Sequence, residues 1–162
     1  MNLSASNRLK PFQEKQPRLD LRKFFNGTVE GWGSLFDYLG RPTRRFYVKI
    51  QGTWDEKNGR LDEWFHFDDG EKTERIWNIS YQDDQYFFAR AGDVIGQAIG
   101  QQAGNAINLR YRLRVPYKKS TIDLSMDDWM YLVDQTTILN RTKMKKLGLK
   151  VGEICLLMRR VS

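Results

Sequence analysis

Cysteine and histidine are almost missing from this chain, and their scarcity excludes much. The single cysteine, Cys155, allows no intramolecular disulfide and no thiolate zinc site. The single histidine, His66, rules out a histidine cluster for a metal. No apolar run approaches the roughly 20 residues that a membrane-crossing helix needs. Met1 to Gln16 carries scattered charges and no apolar block, so it does not read as a signal peptide. None of the G-x-S-x-G, H-E-x-x-H or G-x-G-x-x-G patterns occurs. Asp127 and Asp128 look like a carboxylate pair, but consecutive strand residues point to opposite faces. Asp68-Asp69 and Asp83-Asp84 sit where turns are expected, and aspartate there bonds its own backbone. The sequence therefore predicts no catalytic residue, no metal and no cofactor.

What the chain does have is aromatic side chains, at 13%, within a 40% apolar composition. These suit pleated strands, and 162 residues are enough for one domain that buries roughly 70% of its unfolded surface. Residues 1–18, with Pro11 and Pro17, show no periodicity and are expected to be a flexible lead-in to a single domain over 19–162. Beyond them, runs of strand character lie near 27–36, 44–54, 60–67, 71–81, 85–91, 105–116, 120–132, 136–144 and 151–160. Gly40-Arg41-Pro42, Asn58-Gly59, Asp68-Asp69-Gly70, Asp83-Asp84 and Pro116-Tyr117-Lys118 break them. Short connections favour antiparallel neighbours, and closure removes exposed edges. An all-β antiparallel barrel of about eight or nine strands is the expected fold.

One hairpin fixes its own register. A two-residue turn at Asp69-Gly70 sets Glu63 opposite Ile76 and mixes apolar with charged groups on both faces. A three-residue loop, Asp68-Asp69-Gly70, with Gly70 in the left-handed position, sorts them instead. Leu61, Glu63, Phe65, Phe67, Thr73, Arg75, Trp77, Ile79 and Tyr81 then share the inner face, with Glu63 directly opposite Arg75. A one-residue slip reverses every side chain, so this sorting decides between the registers. The same alternation turns Phe46, Val48, Ile50 and Trp54 inward, as it does Ile107, Leu109, Tyr111, Leu113 and Val115. Asp128 falls on the apolar face of Met126 and Met130, and Asn140 on that of Ile138 and Met144.

Gly92, Gly96, Gly100 and Gly104 recur every fourth residue, which lines them up on one side of a helical turn. This segment is expected to be a short helix or ordered loop against one end of the barrel, with the glycines serving close packing. Arg110, Arg112 and Arg114 form an outward ladder opposite Leu109, Tyr111 and Leu113. Base stacking needs aromatics beside the basic groups, and Tyr111 points away, so nucleic acid is not the expected partner. Net charge is +7, with +4 in residues 1–27 and +4 in residues 118–162. An anionic membrane surface would feel that field.

Several motifs together resemble the bacterial family known as domain of unknown function 3833, over about residues 17–160. They are Pro17-Arg-Leu-Asp-Leu-Arg-Lys-Phe-Phe-Asn-Gly27, Gly31-Trp32-Gly33, Thr43-Arg-Arg-Phe46, and Asp68-Asp69-Gly70 with Arg75 and Trp77. Gly92-Asp93-Val-Ile-Gly96, Gly104-Asn105-Ala106, Asp127-Asp128-Trp129, and Asn140 with Lys143-Met-Lys-Lys-Leu-Gly148 complete the set. The resemblance implies a lipocalin-like, calycin-type barrel, a structural role for Gly92, Asp93, Gly96, Gly104, Asn105 and Trp129, and a link to membrane-lipid modification. Its members mostly begin with a lipoprotein signal ending in a lipidated cysteine, which this sequence lacks. The basic lead-in is expected to be the tether that follows such an anchor, giving a periplasmic or membrane-tethered protein; the alternative is a cytoplasmic one. The leading expectation is a binding protein for an acyl chain or other apolar, lipid-like ligand. Glu63, Arg75, Asp128 and Asn140 would position its polar end, and Trp77 and Tyr111 would share the wall. An enzyme or enzyme subunit acting on membrane acyl chains is the first alternative. A filled barrel with no ligand is the second.

Overall fold

A computed structural model describes residues 8–161. The period-2 runs become ten antiparallel strands: β1 (Gly27–Asp37), β2 (Pro42–Asp55), β3 (Asn58–Phe67), β4 (Lys72–Tyr81), β5 (Tyr86–Arg90), β6 (Val94–Ala103), β7 (Ala106–Tyr117), β8 (Ser120–Leu132), β9 (Thr137–Lys146) and β10 (Leu149–Arg160). Each pairs with the next, and β1 pairs with β10 from Val29↔Arg160 to Asp37↔Gly152, which closes the barrel. Closure leaves no row of unpaired backbone groups along an edge.

The β3–β4 hairpin adopts the three-residue loop. Glu63 lies opposite Arg75, the Phe67 N–H donates to the Glu71 carbonyl at 2.9 Å, and Gly70 has φ +90°. The expected inner face is the buried one: Leu61, Trp77, Ile79 and Tyr81 are buried while His66, Lys72, Glu74 and Asn78 are exposed. Asp127 and Asp128 point to opposite faces, as strand geometry requires.

One expectation is corrected. Most of the glycine-spaced segment, between turns at Gly92 and Gly104, is neither helix nor loop but strand β6, paired with β5 and β7, and it brings the strand count to ten. A spacing of four is a multiple of two, so it places residues on one face of a strand as readily as on one side of a helix. Gly100 lies flat beneath the Phe87 ring, where a Cβ would come within 2.1 Å of the ring. Gly96, at φ +68°, carries the irregularity that shifts the β6–β7 register between Ile95 and Ile99.

The two ends of the barrel differ. At the end holding the β2–β3, β4–β5, β6–β7 and β8–β9 turns, the residues before β1 form a plug. A one-turn helix, α1 (Leu21–Phe24), starts at Asp20, whose carboxylate accepts from the Arg22 N–H at 2.9 Å. Leu19, Leu21, Phe24 and Phe25 are all buried, each contributing about 1.5–3 kcal/mol. Gly52 makes room for them, since a Cβ there would lie 1.6 Å from the Phe25 carbonyl oxygen. Trp54 Nε1 donates to that oxygen at 3.2 Å, and Gln102 Oε1 accepts from Leu21 N and from the Tyr81 hydroxyl. Residues 8–12 lie along the outside of β8, where Arg8 pairs with Asp127 at 2.6 Å, Leu9 is buried, and Phe12 packs on Trp129 and Tyr131; the chain then passes Gly104 of the β6–β7 turn. The opposite end has no plug among the described residues. There burial falls off rung by rung, from Trp77 through Arg75 to Thr73, and from Leu113 through Val115 to Tyr117.

Candidate functional site

Between the plug and the open end lies an interior cavity of about 120 Å³. Its walls are mostly apolar, from Phe25 and Val48 to Leu109 and Met158, and its polar lining groups are Glu63, Arg75, Tyr111, Asp128, Asn140 and Thr142. Five of the proposed ligand residues, Glu63, Arg75, Trp77, Asp128 and Asn140, therefore meet at one cavity, together with Tyr111, the sixth.

The pairing within this group is not the one the hairpin alone suggests. Arg75 does face Glu63, at 3.8 Å, but its closer partner is Asp93 on the β5–β6 turn. Arg75 Nε and Nη2 donate to the Asp93 carboxylate at 3.0 and 2.8 Å, a two-point contact that a planar guanidinium makes well. The guanidinium also lies 5.6 Å from the Phe65 ring and 5.9 Å from the Trp77 ring. Trp77 in turn meets Tyr111 edge to face at 5.4 Å. Across the cavity, Asp128 Oδ1 accepts from Asn140 Nδ2, whose amide also donates to the Trp129 carbonyl at 2.8 Å. The Tyr111 hydroxyl reaches Asp128 Oδ2 at 3.5 Å. In the sequence Asp93 stands out only within the family motif Gly92-Asp93-Val-Ile-Gly96, with a structural role, and Thr142 not at all. Asp93 was hidden because β6 was not recognised as a strand. Thr142 was hidden because an isolated threonine carries no signal.

Burial shifts the titration of these groups. Burial pushes Glu63 up to about 7, with Arg75 opposing that rise and Asp128 and Asp93 adding to it. Burial pushes Asp128 up to about 6, although Asn140, Thr142 and Tyr111 all bond to it. For Arg75, burial works against the charge, but the Asp93 bonds and the field of Glu63 outweigh it and hold the guanidinium above its ordinary range. Burial also lifts the Tyr111 hydroxyl well above its usual range. Asp93 thus already answers the Arg75 charge. What remains toward the cavity is a pair of carboxyls that carry or release protons near neutral pH.

The residues singled out for structural roles lie elsewhere. Gly92 is in the β5–β6 turn and Gly96 at the β6 irregularity. Gly104 (φ +56°) lies against the Phe12 and Lys15 carbonyls, and Asn105 Nδ2 donates to Leu132 O. Trp129 faces outward, stacked on Tyr131 and beneath Arg8. A separate, open groove of about 850 Å³ runs over the outer wall, where His66, Tyr47, Trp32, Leu157, Leu139 and Tyr131 stand in direct register across β3, β2, β1, β10, β9 and β8.

The closed barrel, plugged at one end and hollow above the plug, is of the lipocalin-like, calycin type. The chain belongs to the family described as Protein of unknown function (DUF3833), which it matches over residues 1–160. No functionally curated protein matches it. Among solved structures it is similar to the S-type phycobiliprotein lyase CPES from Guillardia theta, with TM-score 0.60 and 12% identity over 90% of this chain and 95% of that one. It is likewise similar to Rv2717c from M. tuberculosis, with TM-score 0.59 and 13% identity over 92% of this chain and all of that one. At such identities the likeness is one of fold.

Proposed function

We propose that the barrel binds an elongated apolar small molecule, an acyl chain or similar lipid-like ligand, taken in through the open end. The observation that carries this is the cavity itself: apolar walls, one cluster of convergent polar groups, a plug on one side and an opening on the other. At about 120 Å³ it is smaller than the roughly 300–1,000 Å³ of pockets that enclose a whole ligand. It suits one end of a chain whose remainder lies along half-buried Phe67, Val115, Leu124 and Ile154 toward the opening. The head group follows from the charges. Asp93 occupies the guanidinium of Arg75, and Glu63 and Asp128 disfavour another carboxylate, so an alcohol, amide or amine fits better. Titration with C12–C16 alcohols, amines and carboxylates at pH 8, followed by intrinsic tryptophan fluorescence with Trp77→Phe as the control, tests this. The alcohol and amine should bind more tightly than the carboxylate, and the Asp128→Asn variant should narrow the gap. Saturable binding of none of the three, with the protein folded, supports a filled structural barrel instead.

A second reading is favoured by the two carboxyls near pH 6 and 7, the range in which a group gives and takes protons efficiently. A relative in fold is named a lyase, and here the same residues would act on a bound acyl chain as general acid and base. Turnover of a bound chain with a bell-shaped pH profile would select this reading over simple binding. We also place the protein periplasmically or tethered at a membrane, drawn to anionic lipid by its basic ends, with the cytoplasm as the alternative. Fractionation of cells expressing the native gene distinguishes these.

A further inference from the structure

The lysines of the two basic regions lie at opposite ends of the barrel, while Arg159 and Arg160 end β10 on the plugged side, so one flat membrane cannot face both groups of lysines. The residues before β1 form the plugged end, while Lys118, Lys119, Lys143, Lys145, Lys146 and Lys150 cluster on the β7–β8 and β9–β10 hairpin tips at the open end. Basic charge alone does not choose between the ends, because Lys10, Lys15, Arg18 and Lys23 are exposed beside the plug. Exposed apolar side chains do choose. Leu147 is 92% exposed, Leu149 73% and Tyr38 69%, with Leu39 and Tyr117 more than half exposed. All five stand on the β1–β2, β7–β8 and β9–β10 tips, which are neighbours around the rim. At the plugged end Val133 and Val161 are the comparable cases among the described residues.

The rim is also divided by sign. The β3–β4 tip carries Asp68, Asp69 and Glu71 and no exposed large apolar group, and it is paired with Arg44 and Arg45. Lys118, Lys119, Lys143 and Lys145 have no ion-pair partner among the described residues, and Lys146 Nζ donates only to the Asp123 carbonyl oxygen, at 3.3 Å. A loop tip with a bare leucine costs hydration unless something apolar receives it. Leucines flanked by unpaired lysines match the interface of an anionic bilayer, where the side chains enter the headgroup boundary and the ammonium groups meet phosphates.

We infer that the open end docks mouth-down on an anionic phospholipid surface, with Leu147, Leu149, Tyr38 and Leu39 inserted and Lys118, Lys119, Lys145 and Lys146 against the headgroups. This rests on the membrane-lipid reading above and adds an orientation to it: the cavity opens onto the bilayer, so a chain passes between lipid and barrel without crossing water. The outer-wall groove with Trp32 offers a competing, side-on seat.

The test uses the full chain and vesicles of phosphatidylcholine alone or with 30% phosphatidylglycerol. Sedimentation should show binding to the anionic vesicles that weakens at high salt. Leu147→Asp with Leu149→Asp should lower it at least about tenfold, and Lys145→Glu with Lys146→Glu comparably. Lys15→Glu with Lys57→Glu, the same charge change at the plugged end, should stay within about twofold. In a Cys155→Ser background, a polarity-sensitive dye at Leu147→Cys should shift to an apolar signal on binding, and one at His66→Cys should not. Equal loss from both ends, a shift at His66→Cys instead, unchanged binding by the leucine variant, or no vesicle binding at all overturns the inference. Tight binding to duplex DNA that ignores Leu147 and Leu149 overturns it as well. Chain binding in solution is measured separately. If it persists while docking fails, the orientation alone falls; if docking persists while chain binding fails, the ligand reading alone falls.

Discussion

The plugged end and the open end of this barrel are built from the same strands, yet they solve opposite problems. At the plug, Leu21, Phe24 and Phe25 are buried and Gly52 lets the backbone of Phe25 approach, so that end gains stability from close packing. At the open end, inner-face residues become progressively exposed, hairpin tips carry bare leucines, and charged groups sit just inside. The lesson is that one end is organised for stability and the other gives some of it up.

If that division holds, substitutions should sort by end. The largest effect is expected from Phe25→Ala, which opens a void in the plug and should cost about 3–5 kcal/mol by urea denaturation. A loss below about 1 kcal/mol would mean that the plug is not a structural keystone. Next comes Arg75→Met. It strands Asp93, Glu63 and Asp128 without their cation and should cost about 3 kcal/mol at pH 8. The cost should shrink toward pH 5, as the two raised carboxyls take up protons; a cost that does not change with pH would refute their coupling to Arg75.

Glu63→Gln has the opposite sign. In the folded protein Glu63 titrates at about 7, above the ordinary carboxyl value of 4.5, so the fold retains a proton that the unfolded chain releases. The stability this group contributes is full below about pH 4.5 and is lost as pH rises toward 7. Removing the charge should therefore stabilise the protein by up to about 3 kcal/mol at pH 8 and leave it unchanged near pH 4. Arg75 tolerates this because Asp93 still holds it. Destabilisation at pH 8 would show that Glu63, and not Asp93, is the arginine's essential partner. The smallest effect is expected at the rim, where Leu147→Ser should change stability by no more than about 0.5 kcal/mol, because nothing packs on that side chain.

How much of this was legible beforehand differs by region for physical reasons. The β3–β4 hairpin was readable down to the Glu63–Arg75 pairing, because period-2 sorting leaves one register that separates apolar from charged groups. Strand β6 was not. Its alternation is diluted by glycine and glutamine, and buried Gln101 and Gln102 do not look like core residues until Tyr81, Tyr86 and Leu21 supply their hydrogen bonds. Missing β6 also hid the ion pair of Asp93 with Arg75, since that contact depends on where the β5–β6 turn brings the chain back. The plug was invisible for a related reason. Leu19, Leu21, Phe24 and Phe25 are apolar in sequence, but only barrel closure shows that they cap an end, and Gly52 announces that only through its space.

The most direct test of the account is whether a chain enters the barrel rather than the outer groove. Ala89 faces the cavity from β5, and Ala89→Leu adds three carbons to a space of about 120 Å³. Wild-type protein and this variant, confirmed folded by circular dichroism, are titrated with a fluorescent polyene alcohol. Saturable one-to-one binding by the wild type, lost in Ala89→Leu and kept in Trp32→Ala, is the predicted result. Binding that survives Ala89→Leu but disappears with Trp32→Ala would place the ligand on the outer wall and contradict the account.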